Sequence, residues 1–284
     1  MTRHFVIPDC QVKPGVPIEH LEWIGRAIVH YAPDHVIDLG DFADMHSLSS
    51  YASRKEAEGL RYLADINAAK EARSVLMEPM RKKWGKQLQR TGAPLLWRLY
   101  GNHEQRILRA VEENPQYEGF MSLDNLGDGD AGWTCVPFLE QIELDGVTYS
   151  HYFQQAGTSR PVTGMMETRI KNVGYPFVQG HQQGLRVGMI ARNNGQLIRG
   201  ISAGSCYLHT EDYTGQSDSA YWRGCLVLND VRNGVYELME LSLDYLCREF
   251  GPGMHVWQYM TKKYPKLSAH SPWVAQEKLL RGRR

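Results

Sequence analysis

The sequence predicts an α/β fold: a four-layered sandwich of two mixed sheets flanked by helices, interrupted by a helical insertion. Three observations predict it. Residues 4–39 read strand, helix, strand, with a short return, which makes a parallel βαβ unit. The second half switches to pairs of alternating runs separated by Asp-Gly or Asn-Gly, the signature of antiparallel hairpins. Apolar runs of both kinds are short and numerous, and one sheet with its helices does not absorb them all. At 284 residues the chain is long enough for such an arrangement.

Strand one is His4-Phe5-Val6-Ile7-Pro8, ending at Asp9-Cys10-Gln11 and the turn Lys13-Pro14-Gly15. A helix follows over Ile18 to Tyr31, with Leu21, Ile24, Ala27 and Ile28 on one face and Pro33 as its stop. Strand two is His35 to Leu39, closing at Gly40-Asp41. Residues 42–90 read as the helical insertion, covering one face of a site. It opens with a Ser-rich loop (Ser47, Ser49, Ser50, Ser53), followed by helices over Glu56 to Met77 and Met80 to Gln89. Pro94 to Tyr100 is the third strand. It turns at Gly101-Asn102-His103-Glu104 into a helix through Ile107, Leu108 and Val111. Asn114 to Gly132, with Asp124, Asp128 and Asp130, reads as a solvated acidic surface loop.

Phe138 to Leu144 and Val147 to His151 flank Asp145-Gly146, the first hairpin. A helix over Val162 to Asn172 leads to the strand Phe177-Val178-Gln179 and then Gly180-His181. Two further hairpins turn at Asn193-Asn194-Gly195 and Arg232-Asn233-Gly234. The principal domain is therefore expected over residues 1–241. Residues 242–284 form a packed C-terminal extension broken by Pro252, Pro265 and Pro272, ending in the basic tail Arg281-Gly282-Arg283-Arg284.

Composition narrows the function classes. Lys+Arg and Asp+Glu both number 32, so the formal charge is zero, whereas a non-specific duplex binder carries a basic excess. Cys10, Cys135, Cys206, Cys225 and Cys247 show neither metal spacing nor a disulfide framework and read as reduced thiols of a cytoplasmic protein. The N-terminus enters a strand without a basic-then-apolar leader, and no apolar run approaches membrane-span length, so no membrane partner is expected.

A polar residue of ligand type closes each of five apolar runs: Asp9, Asp41, Asn102, His151 and His181, in that order. In an α/β sheet such positions lie outside the carboxyl ends of the strands, where ligands bind. Any one could satisfy a buried core; five in order point to a metal site. Cys10, between two of the candidate ligands, reads as packing.

With Asp9-Cys10-Gln11, Gly40-Asp41, Gly101-Asn102-His103-Glu104, His151, Gly180-His181-Gln182-Gln183 and the turn Ser202-Ala203-Gly204-Ser205, the chain resembles the calcineurin-like metallophosphoesterases over about residues 3 to 241. The wording of Pro8-Asp9-Cys10-Gln11 and Gly40-Asp41-Phe42-Ala43-Asp44-Met45 is most similar to the phosphoesterases of tailed phages, which implies action in a host cytoplasm. The resemblance implies hydrolysis of phosphodiesters, of nucleotides or single-stranded nucleic acid, with His103 as the acid for the leaving oxygen. A phosphomonoesterase or protein phosphatase, and a catalytically weakened binding scaffold, are the alternatives.

It also implies a metal set. Asp41 bridges; Asn102, His151 and His181 complete the second site. Asp9, Gln11 and Gln183 complete the first, where the family has His at both Gln positions. An amide oxygen is a harder, weaker donor than imidazole, so either the first site is weak and prefers Mn²⁺ or Mg²⁺ to Zn²⁺, or one metal suffices. Mn²⁺ is the favoured ion, with Fe, Zn or Mg as alternatives. Asp44 stands where related phosphatases carry the carboxylate that orients the catalytic His; it reads equally as a turn carboxylate. The phosphate-gripping Arg of those phosphatases is replaced by Met45, leaving Arg106, His46 or Arg160 as substitutes, Arg106 reading equally as a solvated helix residue. Tyr207, His209, Trp222 and Arg223 read either as a groove for a base or as a half-buried rim.

Overall fold

The computed structural model describes residues 1–50, 59–85, 88, 94–211, 221–268 and 273. Its strands are β1 (Thr2–Ile7), β2 (His35–Asp38), β3 (Leu95–Leu99), β4 (Thr134–Val136), β5 (Ile142–Leu144), β6 (Val147–Ser150), β7 (Phe177–Gln179), β8 (Leu185–Ala191), β9 (Leu197–Ala203), β10 (Gly224–Arg232) and β11 (Val235–Ser242). They form two mixed sheets, one ordered β11-β10-β1-β2-β3-β4 and one ordered β5-β6-β7-β9-β8. In the first, β1 to β4 run parallel and β10 and β11 join antiparallel at the β1 edge. In the second, β6, β7 and β9 are parallel, with β5 and β8 antiparallel at the edges. The helices are α1 (His20–Tyr31), α2 (Tyr62–Trp84), α3 (Gln105–Glu113), α4 (Met166–Val173), α5 (Leu243–Glu249), α6 (Val256–Lys263) and α7 (Pro265–Ser268).

Strand alternation assigns the layers. Val6, Ile37 and Leu99 face inward and meet Val147, Tyr149, Val178 and Ile201 of the second sheet. Phe5, Ile7, Val36 and Leu96 face outward and are covered by Leu21, Ile24 and Ile28 of α1, Ala72 and Leu76 of α2, and Leu243 and Leu246 of α5. On the far side, Phe177 and Ile198 are covered by Met166 and Ile170 of α4. The α/β sandwich expected from the sequence is the one observed. Asp145-Gly146 and Asn233-Gly234 both have positive φ, the type I′ geometry that suits a two-residue hairpin.

Two local expectations need correction. The break expected between Met77 and Met80 is absent: among the described residues α2 runs unbroken from Tyr62 through Pro79 to Trp84. A proline interrupts one intrahelical hydrogen bond, but Gly25 of α1 lets Leu76 and Pro79 approach so closely that a Cβ there would lie 2.2 Å from the Leu76 carbonyl oxygen. Packing holds the helix where propensity would break it. The acidic loop is not wholly solvated. Asp128 is buried and accepts from Arg73 at 2.8 Å, with Arg98 at 3.6 Å. In the C-terminal extension, Leu243, Leu246, Val256 and Met260 belong to the same core as α1. Ser53, the start of the first expected insertion helix, Gln89, Pro272 and the basic tail lie outside the described residues.

Arg98 is the charged anchor of the first sheet. It is 1% exposed, pairs with Asp38 at 2.9 Å and lies over the rings of Phe42 and Trp133. Replacing it with Met would leave the Asp38 carboxylate buried without its cation and Asp128 with Arg73 alone. Arg98→Met is expected to lower unfolding free energy in urea by about 3–5 kcal/mol, the range for breaking a buried ion pair. His20, at the start of α1, is fully buried and donates to the Cys206 carbonyl at 3.0 Å. Burial lowers its pKa to about 3. The folded state thus holds fewer protons on His20 than the unfolded state, and its stabilising contribution disappears as pH falls from about 6.5 toward about 3. In thermal melts, the advantage of the native protein over His20→Gln should shrink steadily across that window.

Candidate metal centre

The carboxyl ends of β1, β2, β3, β6 and β7 meet at one edge of the sandwich. Asp9, Asp41, Asn102, His151 and His181 each lie just past one of them. Both sheets contribute. Three of the residues that turn the chain there, Gln11, Asp41 and His181, have φ of 45°, 52° and 64°, a left-handed conformation that L-residues adopt at a cost. Glu104 holds the loops together: its buried carboxylate accepts from the backbone N–H groups of Asp41, Ala43 and Gly101. Two glycines are required by proximity. A Cβ on Gly101 would lie 2.1 Å from Asp41 Oδ1, and one on Gly180 2.7 Å from Asp9 Oδ1.

The side chains converge. Asn102 Oδ1 is 2.9 Å from His151 Nε2 and 2.9 Å from His181 Nδ1, and Asp41 Oδ2 is 3.4 Å from His151 Nε2. His151 Nδ1 donates to the Leu39 carbonyl at 2.8 Å, which fixes that proton and turns Nε2 toward the cluster. Asp9 is fully buried; one oxygen accepts from the His181 N–H, and Oδ2 has no hydrogen-bond partner. An orphaned carboxylate oxygen beside two imidazoles and a second buried carboxylate fits a divalent cation. Gln11 and Gln183 are also buried, and Gln183 Oε1 accepts from the Tyr207 hydroxyl.

The electrostatics carry the same signal. Burial, then the Asp41 charge, pushes the Asp9 carboxyl up to about 7. Burial also opposes the Asp41 charge, but His103 and His151 outweigh it and hold Asp41 well below the usual range. Burial opposes a charged His151, yet Asp41 raises it to about 9, while burial and His151 together lower His181 to about 4. The cluster thus draws a proton onto one imidazole, at a place where a cation would serve as well.

His103 stands beside this group. Its Nδ1 is 2.8 Å from Asp44 Oδ1, so Asp44 orients the ring in the way the phosphatase resemblance implies. Arg106 donates to the Asp44 carbonyl at 2.7 Å and to Asp44 Oδ1 at 3.2 Å, and its other terminal nitrogen is 3.2 Å from His103 Nε2. Arg106 is thus engaged at the site and is not a solvated helix residue. His46 is partly exposed, 3.8 Å from Asp44 Oδ2. Arg160 stands apart, exposed in the turn bridged by Gln154 and Pro161. Cys10 is buried in the core behind the site, as packing. Arg223 is buried and donates to the carbonyls of Tyr207 and His209, so that group packs behind the site instead of forming an open groove.

The roles of Lys13 and Glu211 have no counterpart in the sequence reading, and nothing in their local pattern marks them; Glu104 closes the Gly101-Asn102-His103-Glu104 motif, but the motif alone does not show that it braces the loops. A second His/Asp group, His4, His35 and Asp145, lies at the opposite ends of β1 and β2. There Trp97 donates its indole N–H to His35 Nδ1 at 3.2 Å. Indole nitrogen only donates, so the neutral His35 carries its proton on Nε2, toward Asp145, and offers no lone pair there. Thr2 and His4 also contact Asp145 Oδ2, so the group reads as a hydrogen-bonded tie between the sheets.

Comparison of the chain with protein-family models and with curated proteins gave no match. The reading of the centre rests on its residues and their geometry. Gly101→Ala drives a methyl into Asp41, so calorimetric titration with Mn²⁺ should show at least about a tenfold loss of affinity, a cost near 1.4 kcal/mol. Unchanged affinity would remove Asp41 from the ligand set.

Proposed function

We propose that this chain is a metal-dependent phosphoesterase of the calcineurin-like type that hydrolyses phosphodiesters of nucleotides or short single-stranded nucleic acid. The observation that carries the reading is the convergence of Asp41, Asn102, His151 and His181 beside the orphaned oxygen of Asp9, with a carboxylate-held His103 at its border. Asp41, Asn102, His151 and His181 would hold the tighter ion. Asp9 and Asp41, with the amide oxygens of Gln11 and Gln183, would hold a weaker one suited to Mn²⁺. When bound, such ions polarise the phosphoryl oxygens and make water a stronger nucleophile.

The chain's own residues supply the rest. Asp44 accepts the Nδ1 proton of His103 and leaves Nε2 facing the site, from which a protonated ring hands its proton to the departing oxygen. Arg106 places a guanidinium beside His103 Nε2, where it contacts a non-bridging phosphoryl oxygen. Because Arg106 is also tied to Asp44 and Met45 brings no second cation, a singly charged diester suits this grip better than a dianionic monoester. Zero net charge favours a small or flexible substrate over duplex.

The test is hydrolysis of bis-p-nitrophenyl phosphate and p-nitrophenyl phosphate by chelated and Mn²⁺-reconstituted protein. Activity should require the ion, with the diester giving the higher kcat/KM. His181→Ala should lose the tight ion and most turnover. His103→Ala should keep the ion but lose about 10²–10⁴-fold in kcat, the usual worth of a general acid. Full activity after chelation would overturn the proposal. A monoester preference would move it to the phosphomonoesterase, and ion binding without turnover of either ester would favour a scaffold.

A further inference from the structure

The carboxylate that orients His103 is itself clamped from behind. Lys13 Nζ lies 3.3 Å from Asp44 Oδ2 and 2.6 Å from Glu211 Oε2. Glu211 Oε1 is 2.6 Å from His209 Nε2. The side chains of Asp44 and Glu211 are each 4% exposed, so two carboxylates share one poorly solvated space with the lysine between them. The oxygens of Asp44 are divided: Oδ1 takes His103 and Arg106, and Oδ2 faces Lys13 at 3.3 Å, with the partly exposed His46 farther off at 3.8 Å. A carboxylate held at one oxygen can still rotate about Cβ–Cγ, and the ring it orients turns with it. Held at both, it cannot.

A lysine alone is a poor clamp, because its four-carbon stem is flexible and its ammonium is a point charge. Glu211 removes that freedom by fixing Nζ from the other side. The contact joins distant parts of the chain: Lys13 follows β1 two residues after Gln11, and Glu211 lies in the segment after β9 in which Ser205 bridges to Asp9 and Cys206 donates to the Asp9 carbonyl.

We propose that Lys13, fixed by Glu211, is a positioning residue for His103, acting through the second oxygen of Asp44. The inference rests on the phosphoesterase reading for its kinetic consequence, but not for its structural one. General-acid help matters most when the leaving group is poor, so a misplaced His103 penalises a phenyl ester more than a p-nitrophenyl ester.

The experiment compares methyl phenyl phosphate with methyl p-nitrophenyl phosphate, in the Mn²⁺-loaded full-length protein. Lys13→Met should lower kcat on the phenyl ester about tenfold more than on the nitrophenyl ester, within the worth of general-acid catalysis. KM and bound Mn²⁺ should hold, and Lys13→Arg should recover most of the loss. Added to Asp44→Asn, Lys13→Met should cost nothing further, because the two act as a unit. Glu211→Gln should show the same leaving-group signature and carries the test if Lys13→Met does not fold. Equal losses on both esters, a change in KM alone, or additivity with Asp44→Asn would overturn the proposal.

A second readout needs no turnover. In the metal-free protein, the ¹⁵N signals of the His103 ring should report an Nδ1-bound proton, and Lys13→Met or Glu211→Gln should shift the Nδ1 signal as the Asp44 hydrogen bond loosens, while Arg106 keeps Nε2 an acceptor. Unchanged ring signals in both variants would overturn the clamp. Wild-type protein inactive on both esters would sink the phosphoesterase reading and leave the ring signals to decide the clamp.

Discussion

Two carboxylates, Asp9 and Asp41, are buried together where the two sheets meet, and their mutual repulsion is the constraint around which this end of the molecule is built. Buried like charges are costly without a compensating positive charge. In the protein alone, His103 and His151 compensate Asp41, while the Asp9 carboxyl rises toward its neutral form. The surrounding loops keep the pair from separating. Glu104 takes three backbone N–H groups from both loops that flank Asp41, and Gly101 and Gly180 bring the chain into contact with the two carboxylates. Left-handed backbone at Gln11, Asp41 and His181 stores strain beside them. The arrangement opposes what stability alone would select, as expected of a binding centre.

Much of this was legible because each ligand candidate directly follows a short apolar run. A strand is recognised by its burial, its end by the polar residue that closes it, and parallel strands place their ends together. The same logic made the hairpins at Asp145-Gly146 and Asn233-Gly234 readable, since two successive residues with positive φ leave few alternatives. What was not legible depends on contacts between distant residues. Lys13 and Glu211 are 198 positions apart, and neither sits in a pattern that marks it. Asp128 looked solvated because the acidic run around it is polar; Arg73 of α2 and Arg98 of β3 draw it inward. A break is expected between Met77 and Met80 because propensity is local, whereas the fit of α1 against α2 at Gly25 is not.

The helical layer does more than cover a sheet. Ile66 and Ala69 of α2 pack with Met45, Tyr100 and Ile107, and Asp65 accepts from the Ser47 N–H. The loop that carries Asp44 is thereby held between α2 and α3, so the groups around His103 rest on the insertion while the ligand candidates rest on the sheets. Substitutions in the insertion can thus disturb the orientation of His103 while leaving the ligand cluster intact.

The indole of Trp97 has a further consequence. The described part of the molecule contains two His/Asp groups of similar size, at opposite ends of the same strands. At one end, a backbone carbonyl takes the Nδ1 proton of His151 and points a lone-pair position inward; at the other, Trp97 fills the acceptor position of His35 and points a proton inward. One hydrogen-bond donor thus gives the two ends opposite chemical polarity. A cation would meet a lone-pair position at the first end and a proton at the second.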